Sequence, residues 1–264
     1  MMIDKRVISA VIAIPLLLFF AITGGIIFKI GIMAISAIAL YEYVNVYKNN
    51  GDKVISWILI LGYLLYYLTI ILAGQKLILP IIYIIVLVSM AVPIFSRRYT
   101  VISSALTITG FIYIVNFFGL LILIRDHSSG GYLIWLVFII SWFCDTFAYY
   151  TGRLLGRKKL CPQVSPKKTV EGSIGGIAGS IFGVILWSCL SSNISFEWYH
   201  LILLGLLGGA VSQIGDLSAS LIKRYVGVKD YGNIMPGHGG ILDRFDSILF
   251  TAPIVYYYIV LFLG

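Results

Sequence analysis

Gln213-Ile-Gly-Asp-Leu-Ser-Ala-Ser-Leu-Ile-Lys-Arg224 and, soon after it, Pro236-Gly-His-Gly-Gly-Ile-Leu-Asp-Arg-Phe-Asp-Ser247 are polar stretches set between long apolar runs. The region from 213 to 247 holds four of the 11 acidic residues of the chain, all of them Asp, and four basic residues: Asp216, Asp230, Asp243, Asp246, Lys223, Arg224, Lys229 and Arg244. An ionised side chain at membrane depth costs several kcal/mol. A largely apolar chain that concentrates charge in this way is expected to use it, so the region is interpreted as the working site.

Composition sets the class of protein. The 264 residues are 60% hydrophobic and only 11% charged, and the mean hydropathy is +1.00. Such a chain has too little polar surface to cover a soluble globule of its size, so we predict a polytopic membrane protein. The net charge of +8 fits cytoplasmic loops beside anionic headgroups, and without interleaved basic and aromatic residues it does not indicate nucleic-acid binding. Three scattered histidines, and three cysteines without C-x-x-C spacing, indicate neither a zinc site nor a disulfide framework.

About nine runs of the chain are apolar and long enough to cross a bilayer, which takes about 20 residues. They are 7–28, 30–46, 54–73, 77–95, 101–124, 131–151, 173–193, 199–222 and 241–263. Spans must be helical because no water is present to satisfy an open backbone. We therefore predict an all-α transmembrane helical bundle.

Basic residues orient these spans. If the N-terminus is cytoplasmic, the inner segments contain 16 of the 19 Lys and Arg residues and the outer segments contain 3, as the positive-inside rule expects. The polar segments 152–172 and 223–240 then lie on the cytoplasmic side, and the C-terminus lies outside. Asp4-Lys5-Arg6 before the first apolar run resembles a signal peptide, but without a small-residue cleavage site a retained helix is predicted.

The chain is predicted to form one integrated membrane domain, with N-terminal helices in 1–130 and a catalytic region in 131–264. Glu42, the acidic residue at the inner end of the second span, could approach the site, but the favoured interpretation is a plain interfacial carboxylate. Glycines at every fourth residue predict close helix packing rather than chemistry. They are Gly175, Gly179 and Gly183 in the seventh span and Gly205 and Gly209 in the eighth.

Two segments of 131–172 suggest anion chemistry. Asp145, Tyr149 and Arg153 fall on one helical face, which fits either a site or a salt bridge that closes the helix end. Ser165-Pro-Lys-Lys-Thr-Val-Glu-Gly172 brings lysines and backbone N–H groups to a helix start, where phosphate is favoured. It is not a Walker loop, and a basic loop resting on headgroups is the alternative.

Carboxylates in the organising region indicate a metal. Asp216 shares a helical face with Ser220 and with Lys223 or Arg224, whereas Asp243 and Asp246 are three residues apart. Carboxylates that share a small region repel unless a cation lies between them, and hard oxygen ligands suit Mg2+. Glycines in 236–240 permit a tight loop whose backbone could close on a ligand. His238 fits either a general base or a residue that fixes this loop.

The same residues resemble a known family. Ser220-x-x-Lys223-Arg224, Lys229-Asp230 and Pro236-Gly-His-Gly-Gly-Ile-Leu-Asp-Arg-Phe-Asp246 are similar to the signature of the phosphatidate cytidylyltransferases, also called CDP-diacylglycerol synthases. Segments 145–156 and 165–172 resemble other shared segments of that family, so the likeness covers roughly residues 140–250. Met235 departs from it, since a branched aliphatic residue or Phe is commoner there.

The resemblance implies transfer of the cytidylyl group of CTP to phosphatidate, with Mg2+, in a multi-pass protein of the bacterial inner membrane that forms a homodimer. The predicted catalytic residues are Asp216, Lys223, Arg224, Asp243 and Asp246, and the metal ligands are Asp216, Asp243 and Asp246. The predicted substrate-binding residues are Asp145, Arg153, Ser165, Lys167, Lys168, Thr169, Ser220, Lys229, His238, Gly239, Gly240 and Arg244. A CTP-dependent lipid-alcohol kinase and a membrane transporter remain as alternatives.

Overall fold

A computed structural model describes residues 5–191 and 197–262. Its helices before the polar hairpin are α1 Lys5–Thr23, α2 Gly25–Asn49, α3 Ser56–Ala73, α4 Ile78–Phe95, α5 Val101–Gly110, a π-helical segment Phe111–Asn116, α6 Phe117–Asp126 and α7 Gly130–Leu155. Strands β1 Lys159–Cys161 and β2 Ser165–Thr169 precede α8 Val170–Leu190, α9 Trp198–Tyr225 and α10 Leu242–Phe262. The prediction of an all-α polytopic membrane protein is confirmed.

Eight of the helical segments in the described ranges are long and apolar enough to span a membrane, when Val101–Asp126 is counted as one. The first predicted span, 7–28, corresponds to α1, so about nine spans agree with the prediction. The first boundary differs, because α1 ends at Thr23 and α2 already begins at Gly25. Gly24 and Gly25 both have positive φ, a conformation that stops a helix and that glycine adopts without steric cost. Asp4 and the predicted span ends at 193 and 263 lie outside the described residues.

The chain divides into two compact units. The first comprises Met1–Leu123 and Val226–Arg244, and the second comprises Ile124–Tyr225 and Phe245–Gly264. The first unit therefore contains the glycine-rich loop, although that loop follows α9 in the sequence.

The π-helical segment of the first unit is held by tyrosine hydroxyls. Tyr66 donates to the side-chain oxygen of Asn116 at 2.8 Å and to its backbone carbonyl at 3.3 Å, and Tyr67 donates to the carbonyl of Val115 at 3.2 Å. A π turn disturbs the regular helical ladder, and polar backbone groups at membrane depth need replacement partners. The two tyrosines supply those partners.

The second unit packs through the predicted small residues. A Cβ atom on Gly179 would lie 2.5 Å from the Cβ of Phe147, and one on Gly205 would lie 2.5 Å from the Cα of Ile181. Real Cβ atoms do not approach so closely, so α7, α8 and α9 contact one another at distances that only glycine allows. The packing interpretation of the glycine repeats is confirmed.

A β-hairpin in the second unit was not predicted. Strands β1 and β2 are antiparallel, with Lys159 opposite Thr169 and Cys161 opposite Ser165. Ser165-Pro-Lys-Lys-Thr169 lacks the alternating apolar pattern that predicts a strand. The hairpin gives the two lysines a defined backbone.

Candidate active site

A cavity of about 340 Å³ in the second unit collects several of the predicted site residues. Its polar and charged lining comprises Asp145, Tyr149, Arg153, Lys167, Lys168, Thr169, Ser173, Gln213 and Asp216. The charged side chains come from α7, from β2 and from α9, which are distant along the chain. A concave site with a few convergent polar groups is the usual form of a small-molecule binding site.

An ion pair joins the hairpin to α9. The Nζ atom of Lys168 lies 2.5 Å from Oδ2 of Asp216, and the two side chains are 25% and 30% exposed. Arg224, near the end of α9, also donates from Nε to the carbonyl of Val164 in the hairpin turn at 3.4 Å. These contacts show that the hairpin within segment 152–172 meets the polar end of α9.

Three carboxylates of the second unit influence one another. The Oγ atom of Ser247 lies 3.4 Å from Oδ2 of Asp145, and the backbone N–H of Ser247 donates to Oδ1 of Asp246 at 2.8 Å. The charges of Asp216, Lys223 and Asp145 all act on Asp246. Like charges in a small region are costly unless a cation balances them, and Lys168 and Lys223 supply part of that balance.

These oxygens suit Mg2+ in their chemistry. Within the described residues, no group of three His, Cys, Asp or Glu side chains is arranged to hold a metal ion. Mg2+ usually takes only one or two carboxylates, keeps several waters and binds substrate phosphates as well, so a complete protein cage is not required. The assignment of Asp216, Asp243 and Asp246 as metal ligands stays a prediction.

The hairpin is anchored by side chains around its base. The carboxylate of Glu171 accepts from the backbone N–H of Arg157 at 3.0 Å and of Lys158 at 3.2 Å. The hydroxyl of Thr169 accepts from the N–H of Gly172 at 3.1 Å and so caps α8. Because these contacts hold the chain just before β1 and at the end of β2, the lysines at 167 and 168 are presented from a constrained hairpin.

Two predicted helical faces are confirmed. Arg153 donates from Nη1 to the hydroxyl of Tyr149 at 3.3 Å, one turn away on α7. Ser220 Oγ lies 3.5 Å from Oδ1 of Asp216 on α9. Lys223 is half-buried in the next turn of α9.

The glycine-rich loop and Asp243 form a separate cluster in the first unit. Asp243 is 7% exposed, and its Oδ2 accepts from the N–H groups of Tyr231 at 2.7 Å and Gly240 at 2.9 Å. Gly239 has φ +84°, and a Cβ atom there would lie 2.9 Å from Oδ2 of Asp243. The backbone at Gly239 and Gly240 thus closes on a carboxylate of the protein itself, whereas the sequence suggested closure on a ligand.

Other predicted residues of this loop region have defined positions. His238 is half-buried, and its backbone N–H donates to the carbonyl of Met235 at 2.9 Å. Lys229 and Arg244 are exposed. The structure therefore gives the backbone of His238 a part in fixing the loop, and its role as a general base stays a prediction.

Glu42 was misread from the sequence. It is only 2% exposed, and its two carboxylate oxygens accept from the N–H groups of Ile241 and Leu242, each at 3.0 Å. It caps α10 by a contact that spans about 200 residues of sequence, so its interpretation as an interfacial carboxylate is wrong. The apolar neighbours in Ala39-Leu-Tyr-Glu-Tyr-Val44 were a signal of burial.

Comparison with known proteins adds a family relationship. A sequence model of the Cytidylyltransferase family matches residues 4–262. A phosphatidate cytidylyltransferase of Bacillus subtilis (strain 168) is 33% identical over 268 residues, which cover 98% of each chain. One from Staphylococcus epidermidis (strain ATCC 35984) is 33% identical over 95% of this chain and 96% of its own. One from Synechocystis sp. is 46% identical over 141 residues, or 53% of this chain and 47% of its own.

Proposed function

This chain belongs to the cytidylyltransferase family, and on that premise we propose that it transfers the cytidylyl group of CTP to phosphatidate, yielding CDP-diacylglycerol and pyrophosphate. It is a multi-pass protein of the bacterial inner membrane. The observation that carries the proposal is the cavity of about 340 Å³ in which lysines of a hairpin meet carboxylates of two helices. Positive side chains can hold a triphosphate there, and the carboxylates can hold a cation that also binds the phosphates.

In the proposed reaction, an oxygen of the phosphatidate monoester attacks the α-phosphorus of CTP. A new P–O bond forms, the bond between the α-phosphorus and its bridging oxygen breaks, and pyrophosphate leaves with the electron pair. A phosphate monoester is largely ionised near neutral pH, so the attack needs no strong general base. The step depends on positioning and charge stabilisation, as in other phosphoryl transfers.

Lysines and arginines are proposed to hold the phosphates. Lys167 and Lys168 on β2 and Arg153 on α7 line the cavity and are assigned to the triphosphate. Lys223, Arg224 and Arg244 are assigned to the remaining phosphate charge, including that of the lipid. Lysine acts on phosphate as a point charge, whereas arginine can make two parallel hydrogen bonds.

Mg2+ is proposed to be held by Asp216 and Asp246 of the second unit, with Asp145 beside them. Asp243 of the first unit keeps its predicted role as a metal ligand. When bound, the ion would neutralise charge on the phosphates during transfer. The support is the donor set: Asp145 and Asp216 line one cavity, and Ser247 contacts both Asp145 and Asp246. Hard oxygen donors match the preference of Mg2+.

Two labelled forms of CTP test the reaction. Purified protein in detergent, with phosphatidate and Mg2+, should move label from the α-phosphate of CTP into lipid and release label from the γ-phosphate as pyrophosphate. A lipid-alcohol kinase would instead place the γ-label on the lipid and release CDP. Asp216→Asn in the same detergent serves as the inactive control.

A transporter is tested separately. Solute flux into proteoliposomes, with neither label reaching lipid, would favour that alternative and defeat the transferase proposal. The charges predicted to be functional lie towards the ends of the helices, whereas transporters commonly bind their substrates near the bilayer midplane. We also propose a homodimer, for which the support is the family resemblance, and light scattering of the detergent-solubilised protein would measure its mass.

A further inference from the structure

Glu42 belongs to a helix to which the proposed reaction assigns no role. Its side chain is 2% exposed, and its acceptors are taken by two consecutive backbone N–H groups, those of Ile241 and Leu242. A charged or polar acceptor at a helix start normally comes from the helix's own N-cap or first turn. Here it comes from the other end of the sequence.

The two glycines nearest Glu42 show how closely the loop fits this side chain. A Cβ atom on Gly232 would lie 2.5 Å from Oε1 of Glu42, and one on Gly240 would lie 2.5 Å from Oε2. Any other residue at these positions would require either the loop or the Glu42 side chain to shift. The loop is thus shaped to accept Glu42 as well as Asp243.

Glu42 and Asp243 both accept hydrogen bonds from the backbone of 240–242. Oδ2 of Asp243 accepts from Tyr231 and Gly240, and Glu42 accepts from the next two residues, Ile241 and Leu242. The backbone on either side of Gly240 is therefore held by carboxylates from two different helices. The position of Asp243 depends on the backbone that Glu42 fixes immediately before it.

We propose that Glu42 is a positioning residue for the transfer reaction: its carboxylate holds the start of α10 so that Asp243 is presented in one orientation. This rests on the proposed function, in which Asp243 takes part. Glu42 itself touches neither substrate, and it acts through the backbone of 240–243. The contacts that support the proposal lie entirely within the first unit.

Glu42→Gln is the main test because it preserves the size of the side chain. The amide offers one acceptor oxygen and turns an NH2 group towards the second backbone N–H, so one donor loses its acceptor. Hydrogen bonds to charged groups are strong enough that amide exchange in 231–242 should accelerate roughly 10- to 100-fold. Exchange in α8 and α9 should match the wild type. We expect kcat to fall at least tenfold, with KM for CTP within about threefold of wild type.

Two further variants complete the experiment. Glu42→Asp keeps the charge but is one methylene too short to reach both N–H groups, so its kcat should fall as well. Asp52→Asn removes a carboxylate just beyond the end of α2 whose side chain accepts from Asn50, and it should leave kcat and exchange unchanged.

Several results would overturn the proposal. One is a wild-type kcat in Glu42→Gln, and a second is a wild-type kcat in Glu42→Asp, which would make charge rather than reach the relevant property. A third is faster exchange throughout the protein, which would indicate a general structural role. If the wild-type protein itself makes no CDP-diacylglycerol, the proposed function fails, and the exchange data still show whether Glu42 holds the loop.

Discussion

Replacing Lys168 with methionine should move catalysis and metal binding in opposite directions. Lys168 lies 2.5 Å from Asp216, so its ammonium group occupies a position beside the carboxylate that the proposed metal ion would share. With CTP present, the same ammonium is proposed to bind phosphate. Lys168→Met should therefore lower kcat/KM and, without nucleotide, bind a divalent ion more tightly.

The size of both effects follows from the geometry. Loss of a charge-assisted contact to phosphate costs about 1.5–3 kcal/mol, which corresponds to a fall of roughly 10- to 150-fold in kcat/KM. An ammonium group 4 Å from a divalent ion repels it by about 2 kcal/mol even at the dielectric constant of water, which is roughly 30-fold in affinity. Lys168 is 25% exposed and can rotate away, so about tenfold is the smallest gain that we expect.

Binding of Mn2+ can be followed by electron paramagnetic resonance of the nucleotide-free protein, and kcat/KM by transfer of α-labelled phosphate. Lys159→Met is the matched control, since Lys159 is exposed on β1 and does not line the cavity. It should alter both quantities less than twofold. Unchanged or weaker Mn2+ binding in Lys168→Met would refute the competition between ammonium and metal.

Three further predictions concern Asp243, the helix packing and the topology. Asp243→Asn should lower Mg2+-dependent kcat by roughly 100-fold, because the amide binds the two backbone N–H groups more weakly and a predicted metal ligand is lost. Retained turnover would contradict a catalytic role for Asp243. Gly205→Ala should destabilise the protein by about 1–3 kcal/mol in thermal unfolding, whereas Gly131→Ala, whose Cβ would meet nothing nearer than 3.9 Å, should not; equal stabilities would argue against close packing. In a cysteine-free background, a cysteine at 52 should react with an impermeant maleimide only from the cytoplasmic side and one at 75 only from outside; the reverse pattern would invert the orientation.

Most of the fold follows from hydropathy and length, because a helix in a bilayer satisfies its own backbone and needs no distant partner. The spans were predictable for that reason. The contacts of Gly179 and Gly205 were also predictable, because each residue belongs to a set of glycines that recur every fourth residue along one face of its own helix. The hairpin at 159–169 was not predictable, since its strands are short and carry no alternating pattern.

The candidate site was likewise predictable only in part. The ion pair of Lys168 with Asp216 was anticipated only as convergence of two polar segments, because sequence spacing does not determine partners across helices. Glu42 was missed because its partners lie 199 and 200 positions away. The sequence shows an acidic side chain within an apolar run. It does not show that this carboxylate accepts from the N–H groups at the start of α10, because nothing in the sequence around 241 and 242 points to a distant acceptor.

The cap on α10 has a consequence for biosynthesis. Glu42 leaves the ribosome about 200 residues before the backbone amides that it binds, so during insertion the nascent chain carries a carboxylate whose native N–H partners have not yet been made. Only synthesis of the last helix completes the pair. We expect chains that stop before Ile241 to retain this defect and to be recognised by membrane proteases more readily than chains that end just after α10.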